Sequence, residues 1–199
     1  TEDYVVNFAQ LTQRAGNFLV AREPIDDFSW DMLKGSKVLG GGAGGMPEMV
    51  FEYILEKNNM DPTTDLSIDQ SIDFGSTAAA FTGDASAAFT VEFEPSATAL
   101  EKEGAGYVVA SLGVDSGYVP YTSYSAKTSF LNENPQVIQS FTTALQKGMD
   151  YVQSHTPEEI AQVIAPQFPE TDLDTLTIIV TRYYDCLLYT SDAADDSLR

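Results

Sequence analysis

The residues best placed to do chemistry form a glycine-rich segment, residues 40–45, directly after a strand pattern at residues 37–39. Gly40, Gly42 and Gly45 have the spacing G-x-G-x-x-G, and the proline that follows fits the first turn of a helix. A loop without side chains lets a ligand approach the backbone closely. The free amides at a helix start favour an electron-rich or anionic group. The segment therefore predicts a place where a small ligand meets a helix N-terminus.

Two other interpretations of this loop stay open, a dinucleotide site and a tight turn without a ligand. A dinucleotide site has an acidic residue about 20 residues on, at the end of the next strand. Asp61 and Asp65 come at that distance but fall in a turn before the strand. Because no Gly-Lys-Ser/Thr follows the glycines, a P-loop is excluded. Glu48, in the first helical turn, disfavours a strongly anionic ligand unless its side chain points away.

Other reactive groups are scarce. The chain has one histidine, His155, and one cysteine, Cys186, which is too few for a zinc site of the usual ligand types. It has neither a His-Glu-x-x-His motif nor a serine nucleophile elbow. Acidic pairs such as Asp26-Asp27 are expected by chance among 30 acidic residues. We therefore predict no catalytic residue, no metal and no cofactor.

The composition of the chain limits the classes of partner that it can bind. The 199 residues include 30 acidic and 10 basic side chains, which gives a formal net charge of −20. Such a charge repels nucleic acid and anionic membranes, so neither is expected as a partner. No stretch of the sequence reaches the roughly 18–20 consecutive apolar residues of a membrane span.

The elements that must position the glycine loop follow from the periodicity. Two strand patterns, at residues 4–13 and 18–22, flank a turn. Strand and helix patterns then alternate, which predicts crossover connections and a largely parallel sheet. The predicted elements are a helix at 29–33, a strand at 37–39, a helix from 47 to about 58, a strand at 66–72, a helix at 76–82, a strand at 87–93, a helix at 95–103 and a strand at 107–112.

The pattern changes at Gly117. A strand pattern at residues 121–126 is followed by helices only. Asn134 is expected to cap a long helix that begins at Pro135, and Thr156 begins a second helix with a capping box. A last helix is predicted from about 173 to 184.

Six short segments of the chain stand out when they are taken together and in order. They are residues 7–13 (NFAQLTQ), 33–38 (LKGSKV), 44–49 (GGMPEM), 93–95 (FEP), 106–111 (GYVVAS) and 119–122 (VPYT). This ordered set resembles the substrate-binding proteins of ABC transporters for nitrate, taurine, sulfonates and thiamine precursors. The resemblance covers residues 4–185 and implies an α/β, type 2 periplasmic-binding-protein fold, with two lobes joined by two crossing strands.

The resemblance also implies a division of the chain. Residues 1–25 would complete the first lobe and make the first crossing, and residues 26–116 would form the second lobe. Residues 117–185 would cross back and add helices to the first lobe. Much of that lobe, roughly the first hundred residues of a parent protein, would precede Thr1.

The last residues, 186–199, are expected to be foreign to the protein. Residues 186–191 can be encoded by TGT-CTC-TTA-TAC-ACA-TCT, the end sequence of a transposase-based sequencing adapter. At the other end, the chain opens without Met or a leader. We therefore expect a fragment with an artefactual tail, and we exclude the tail from the inference of function.

Ligand-binding residues follow from the resemblance alone. They should lie on the two crossing strands, at the glycine-rich helix start and at the end of one strand. They include no Arg or Lys, which favours a neutral or cationic heterocycle or amino compound over an inorganic oxyanion, with Glu94 as its partner. The residues are Gln10, Thr12, Gly44, Gly45, Met46, Phe93, Glu94, Tyr121 and Thr122.

The implied function is that of the extracytoplasmic solute-binding component of an ABC importer, a monomer held as a cell-surface lipoprotein or in the periplasm. Its partners would be a small-molecule solute, such as a sulfonate, an amine or a pyrimidine-like vitamin precursor, and the membrane permease. One alternative is a nucleotide-binding oxidoreductase domain. The other is a pyrimidine-precursor synthase of the same fold, which uses a cysteine-rich motif and an active-site histidine that this chain does not offer.

Overall fold

The computed structural model describes residues 3–186, which fold as two compact units. Unit 1 takes its residues from Thr1–Arg14 and Tyr118–Arg199, and unit 2 is the continuous segment Ala15–Gly117. The chain therefore passes from one unit to the other twice, after Arg14 and after Gly117.

Unit 2 is built on a five-stranded sheet. Its strands are β2 (Asn17–Ala21), β3 (Lys37–Leu39), β4 (Ser67–Asp69), β5 (Phe89–Phe93) and β6 (Tyr107–Ser111), in the order β4-β3-β5-β2-β6. All five residues of β2 are buried, as expected of a strand that is covered on both faces.

The sheet is mixed, so the prediction of a largely parallel sheet is wrong for β2, which lies between β5 and β6. β3 runs parallel to β4 and β5, but β2 is antiparallel to both β5 and β6. The reason is that β2 enters the sheet directly from unit 1. It is not connected through a helical crossover, which is what favours parallel neighbours.

Four helices pack with this sheet. The predicted helices at 47–58, 76–82 and 95–103 are confirmed, and a fourth short helix follows β6. The apolar stripe of the first of these helices is buried, with Phe51 in aromatic contact with Trp30 of the 3-10 turn Trp30–Leu33. The helices are α1 (Met46–Lys57), α2 (Thr77–Gly83), α3 (Ser96–Lys102) and α4 (Leu112–Ser116).

Unit 1 contains a two-stranded antiparallel ribbon of β1 (Val5–Thr12) and β7 (Thr122–Lys127). Val5 pairs with Lys127 at one end of the ribbon and Thr12 with Thr122 at the other. The helices α5 (Thr128–Glu133), α6 (Pro135–Ser154), α7 (Pro157–Ile164) and α8 (Leu173–Asp185) follow.

The two predicted helix caps of unit 1 have different outcomes. The capping box is confirmed, since Thr156 Oγ1 accepts from the Glu159 amide and the Glu159 carboxylate accepts from the Thr156 amide. Asn134 does not cap α6 with its side chain. Its amide group instead donates to the carbonyl of Phe130 in α5.

The core of unit 1 is small. Ile160, Ala161, Leu176 and Val180 form a buried cluster between α7 and α8. In α6, by contrast, the only buried residue is Met149, and the apolar Val137 is 56% exposed.

The first unit boundary differs from the expected lobe boundary after residue 25. Unit 2 begins at Ala15 because β2 pairs with two strands of the unit 2 sheet. At the other end, the amide of Cys186 donates to the carbonyl of Arg182, and the rest of the expected foreign tail lies outside the described residues. Between residues 3 and 186, no helix has the length and apolar character needed to cross a membrane.

Candidate functional site

The carboxyl ends of β3, β4 and β5 lie at one edge of the unit 2 sheet, because these three strands run in the same direction. Three segments of chain leave the sheet there: the glycine loop after β3, residues 70–76 after β4, and Phe93 with Glu94 at the end of β5. In open α/β sheets this is the edge at which ligands bind. Five of the predicted ligand residues, Gly44, Gly45, Met46, Phe93 and Glu94, lie at this edge.

Glu48 binds the glycine loop. Its side chain is almost fully buried, and its carboxylate accepts one hydrogen bond from the Gly44 amide (3.1 Å) and one from Gln70 Nε2 (2.6 Å). The carboxylate therefore points toward the loop and uses one of its free amides. An anionic ligand would meet this negative charge where the helix start alone would have attracted it.

A second carboxyl group, Glu52, lies one helical turn further on. Its hydrogen bond with Glu48, together with burial and the Glu48 charge, raises the pKa of Glu52 to about 7. Gln70 also donates to Glu52 at 3.3 Å. A second carboxyl group thus lies beside the one that holds the loop, and no basic side chain forms an ion pair with either of them in the part of the chain described.

Aromatic rings cover the start of the loop. Gly41 has a positive φ of 78°, and a Cβ built at this position would overlap the ring of Phe74. The Phe74 ring in turn meets Phe93 edge to face, with centroids 5.5 Å apart. The predicted ligand residue Phe93 therefore belongs to an aromatic pair at the sheet edge, and glycine is required at position 41 for close packing.

Glu94 has a structural role in unit 2. Its two carboxylate oxygens accept hydrogen bonds from the amide (3.0 Å) and the hydroxyl (2.9 Å) of Thr98, in the first turn of α3. Such a carboxylate satisfies amides that have no partner within the helix. A direct contact between Glu94 and a solute stays a prediction.

Two buried polar residues near this edge were not identified from the sequence. Glu92 is 1% exposed, and one of its oxygens accepts from Thr90 Oγ1 (2.7 Å) while the other has no partner within residues 3–186. Burial raises the pKa of Glu92 to about 7. The amide group of Asn17, opposite Phe93 in the sheet, is also buried without a hydrogen bond to any described residue. The positions of Glu92 and Asn17 within strands indicated that both side chains would be buried. They did not indicate that polar atoms of these side chains would have no hydrogen-bond partner among the described residues.

A dinucleotide site would need an acidic residue at the end of β4. The structure has Asp69 at this position, whereas Asp61 and Asp65 precede the strand. Its carboxylate accepts from the amide (3.1 Å) and hydroxyl (2.6 Å) of Ser71 and lies 3.4 Å from Lys37 Nζ. These contacts, with the Glu48 carboxylate against the loop, disfavour a bound pyrophosphate.

The other four predicted ligand residues lie in unit 1: Gln10, Thr12 and Thr122 on the β1–β7 ribbon, and Tyr121 directly before β7. Thr12 pairs with Thr122 at the end of the ribbon next to the crossings, where Val119 donates to the Gln13 carbonyl. The hydroxyls of Thr12 and Tyr121 are buried and have no hydrogen-bond partner among the described residues. Burial raises the pKa of Tyr121, so this hydroxyl stays neutral and able to donate.

Gln10 lies on the same ribbon and lines a cavity of about 570 Å³ between the ribbon and α6. Its side chain donates to the Thr12 carbonyl at 3.2 Å. The other lining residues are mostly apolar and include Phe8 and Ile138. The predicted residues thus form two groups, one in each unit, and each group contains polar or aromatic side chains suited to a small organic molecule.

Comparison with known proteins gives the family. Residues 3–160 match the family described as NMT1/THI5 like. The chain belongs to this family. YtlA of Bacillus subtilis (strain 168), which is named as a binding protein, is 44% identical over 191 residues. The match takes in 96% of this chain but 57% of the relative, so the chain spans little more than half of the length of YtlA.

Solved structures show the same fold at low identity. The alkanesulfonate-binding protein SsuA from Xanthomonas axonopodis pv. citri, bound to MOPS, has a TM-score of 0.70 and 12% identity over 89% of this chain and 59% of its own. The periplasmic nitrate-binding protein NrtA from Synechocystis PCC 6803 has a TM-score of 0.61 and 16% identity, covering 87% and 48%. The prediction of an α/β periplasmic-binding-protein fold is therefore confirmed.

Proposed function

We propose that this NMT1/THI5-like chain is part of an extracytoplasmic solute receptor that delivers a small organic molecule to the permease of an ABC importer. The observation that carries the proposal is the double crossing between two compact units, with β1 and β7 hydrogen-bonded to each other next to it. Such connecting segments can act as the hinge when two lobes close around a ligand. The names of the alkanesulfonate-binding and nitrate-binding structural relatives agree with this function.

In this proposal the two units correspond to the two lobes, with the first boundary at Ala15. Each unit would supply its own group of solute contacts: the glycine loop and the aromatic pair in unit 2, and the hydroxyls of Thr12 and Tyr121 in unit 1. Closure would surround the solute and shield it from water.

The contacts of Glu48 narrow the class of solute. A carboxylate that is buried against the loop and bonded to the Gly44 amide disfavours sulfonates and inorganic oxyanions there. A neutral or cationic amine or heterocycle suits an edge that also carries two aromatic rings.

The function is binding rather than catalysis. The ring of His155 stacks on Tyr151 with centroids 3.6 Å apart, and its Nδ1 lies 2.8 Å from the Tyr151 carbonyl at the end of α6. This arrangement gives the histidine a structural role at a helix end. A pyrimidine-precursor synthase would need a histidine at a ligand edge and a group of cysteines.

The test is a thermal-shift screen of a chimera in which this chain replaces the matching 57% of YtlA. Amines, heterocyclic vitamin precursors, sulfonates and nitrate are the compounds to compare. We expect one cationic or neutral class to raise the melting temperature by a few degrees, because a ligand that binds only the folded state stabilises it.

A folded chimera that responds to no compound would contradict the proposal. Retention of NADH, detected by its fluorescence, would favour the nucleotide-binding alternative instead. The same chimera, analysed by light scattering, tests whether the complete receptor is a monomer.

A further inference from the structure

The carboxylates at the ligand edge of unit 2 differ in whether their oxygens are already bonded. Glu48 accepts from Gly44 and Gln70, and Glu94 accepts twice from Thr98. Asp69, at the end of β4, is bonded to Ser71. Each of these groups stabilises the local chain and already accepts hydrogen bonds within the protein.

Asp73 is different. It precedes the 3-10 turn Phe74–Ser76, a position at which an aspartate usually caps, yet its side chain makes no capping hydrogen bond. Only its backbone carbonyl is used, as the acceptor for the Ser76 amide at 2.8 Å. Asp73 is exposed, and within residues 3–186 its carboxylate has neither a hydrogen-bond donor nor a basic side chain as a partner.

The Asp73 carboxylate faces the glycine loop. A Cβ built on Gly42 would lie 3.5 Å from Asp73 Oδ1, so the carboxylate lies just above the bare backbone of that residue. The neighbouring Phe74 covers Gly41, and its ring meets Phe93 edge to face. A carboxylate with free oxygens, a side-chain-free backbone and two half-buried rings are therefore adjacent at one edge of the sheet.

This combination suits a cation. An ammonium or amidinium group is attracted by the faces and π-electrons of aromatic rings and by an adjacent carboxylate. Glu48 is buried in the first turn of α1, directly after the glycine loop. Its carboxylate adds negative potential at the loop and repels anions there.

We propose that Asp73, together with the Phe74–Phe93 pair, binds the cationic group of the solute at the glycine loop. This inference rests on the proposed function and assigns the charge of its solute. Asp73, rather than Glu94, then supplies the negative partner. Phe93 keeps its predicted place in the site.

The test uses the 199-residue chain and two inorganic or simple probes, tetramethylammonium chloride and sodium sulfate, at constant ionic strength. Amide chemical shifts of Gly42, Phe74 and Phe93 are followed by NMR during each titration. We expect tetramethylammonium to give saturable shifts and Asp73→Asn to weaken its binding about threefold to fivefold, the size of one exposed ion pair. Asp26→Asn, an exposed aspartate in the loop after β2 at the opposite edge of the sheet, should change the affinity by less than about twofold.

Three results overturn the inference: no saturable shift with tetramethylammonium in the unaltered chain, equal affinity in the Asp73→Asn variant, or sulfate binding to the same amides. None of them bears on whether the chimera with YtlA binds a solute. A solute found in the thermal-shift screen whose affinity is unchanged by Asp73→Asn would therefore reject the role of Asp73 and leave the receptor function standing.

Discussion

At the scale of single residues, the acidic side chains around the glycine loop have distinct functions despite their similar chemistry. Glu48 holds the loop, Glu94 bonds the first turn of α3, and the Asp73 side chain makes no capping hydrogen bond. Residue type alone could not separate these functions, because the separation depends on which amide each carboxylate reaches.

Glu94→Ala should lower the free energy of unfolding of unit 2 by about 1 kcal/mol, since two hydrogen bonds to Thr98 at the start of α3 are lost. Urea denaturation followed by the fluorescence of Trp30, which is buried in unit 2, measures this change. Glu103→Ala, at the exposed end of the same helix, is the matched control and should have little effect. Full stability of the Glu94→Ala protein, combined with weaker solute binding, would return Glu94 to the ligand site.

Glu92 should make stability depend on pH. Its folded pKa, about 7, is above its ordinary value of 4.5, so the folded state favours the neutral acid. The stabilising effect of the neutral form is complete below pH 4.5 and is lost as the pH rises to 7. Glu92→Gln should therefore stabilise unit 2 more at about pH 8 than at about pH 4.5, by on the order of 3 kcal/mol.

Urea denaturation of both proteins at several pH values measures this difference. Glu52 has a raised pKa in the same range, so Glu52→Gln is needed to separate the two contributions. A pH profile that is identical with and without the Glu92 carboxyl group would show that its protonation is the same in the folded and unfolded chain.

At the scale of elements, the glycine loop depends on one glycine more than on its neighbour. Gly41 has a φ of 78° and lies against the Phe74 ring, whereas a Cβ at Gly42 meets only an ordinary 3.5 Å contact with Asp73. Gly41→Ala should lower the free energy of unfolding by about 2 kcal/mol or more, and Gly42→Ala by less than about 1 kcal/mol. Equal losses in the same denaturation assay would mean that Phe74 moves away without a penalty.

The sequence predicted the elements well where start and stop signals are local. Pro47, the Thr156 capping box and the residues around Pro95 marked helix starts that the structure contains. It could not predict the antiparallel direction of β2, because strand direction depends on pairing with β5 and β6, far along the chain. The same holds for the candidate site. The glycine loop was predicted from a local sequence motif, whereas the position of Asp73 beside Gly42 is known only from the structure.

At the scale of the whole molecule, unit 1 buries less apolar surface than unit 2. Val137 and Phe141 of α6 are 56% and 38% exposed, and the apolar cavity lies between this helix and the ribbon. In the proposed receptor, residues of the parent protein outside this chain would cover this face. The chain alone should therefore self-associate, and more strongly at high salt, which screens the repulsion of its −20 net charge.

Size-exclusion chromatography with light scattering tests this prediction. Val137→Gln should reduce the associated fraction. Val163→Gln, which changes an equally exposed valine on α7, should not. A chain that stays monomeric in high salt, or two variants that behave alike, would show that the α6 face is not what associates.

The continuity of unit 2 also sets an order of events during synthesis. Residues 15–117 leave the ribosome together and can complete their sheet from neighbouring chain, whereas Val5 must wait for Lys127, about 120 residues later, to form the ribbon. In unit 1, the two chain segments that lead into and out of unit 2 are joined where the Val119 amide donates to the Gln13 carbonyl at 2.9 Å. Unit 2 is therefore inserted into unit 1 as a loop is inserted into a domain. A nascent chain stalled far enough beyond residue 117 for unit 2 to clear the ribosome exit tunnel, but with β7 still inside it, should already resist proteolysis in unit 2 while β1 is still cleaved.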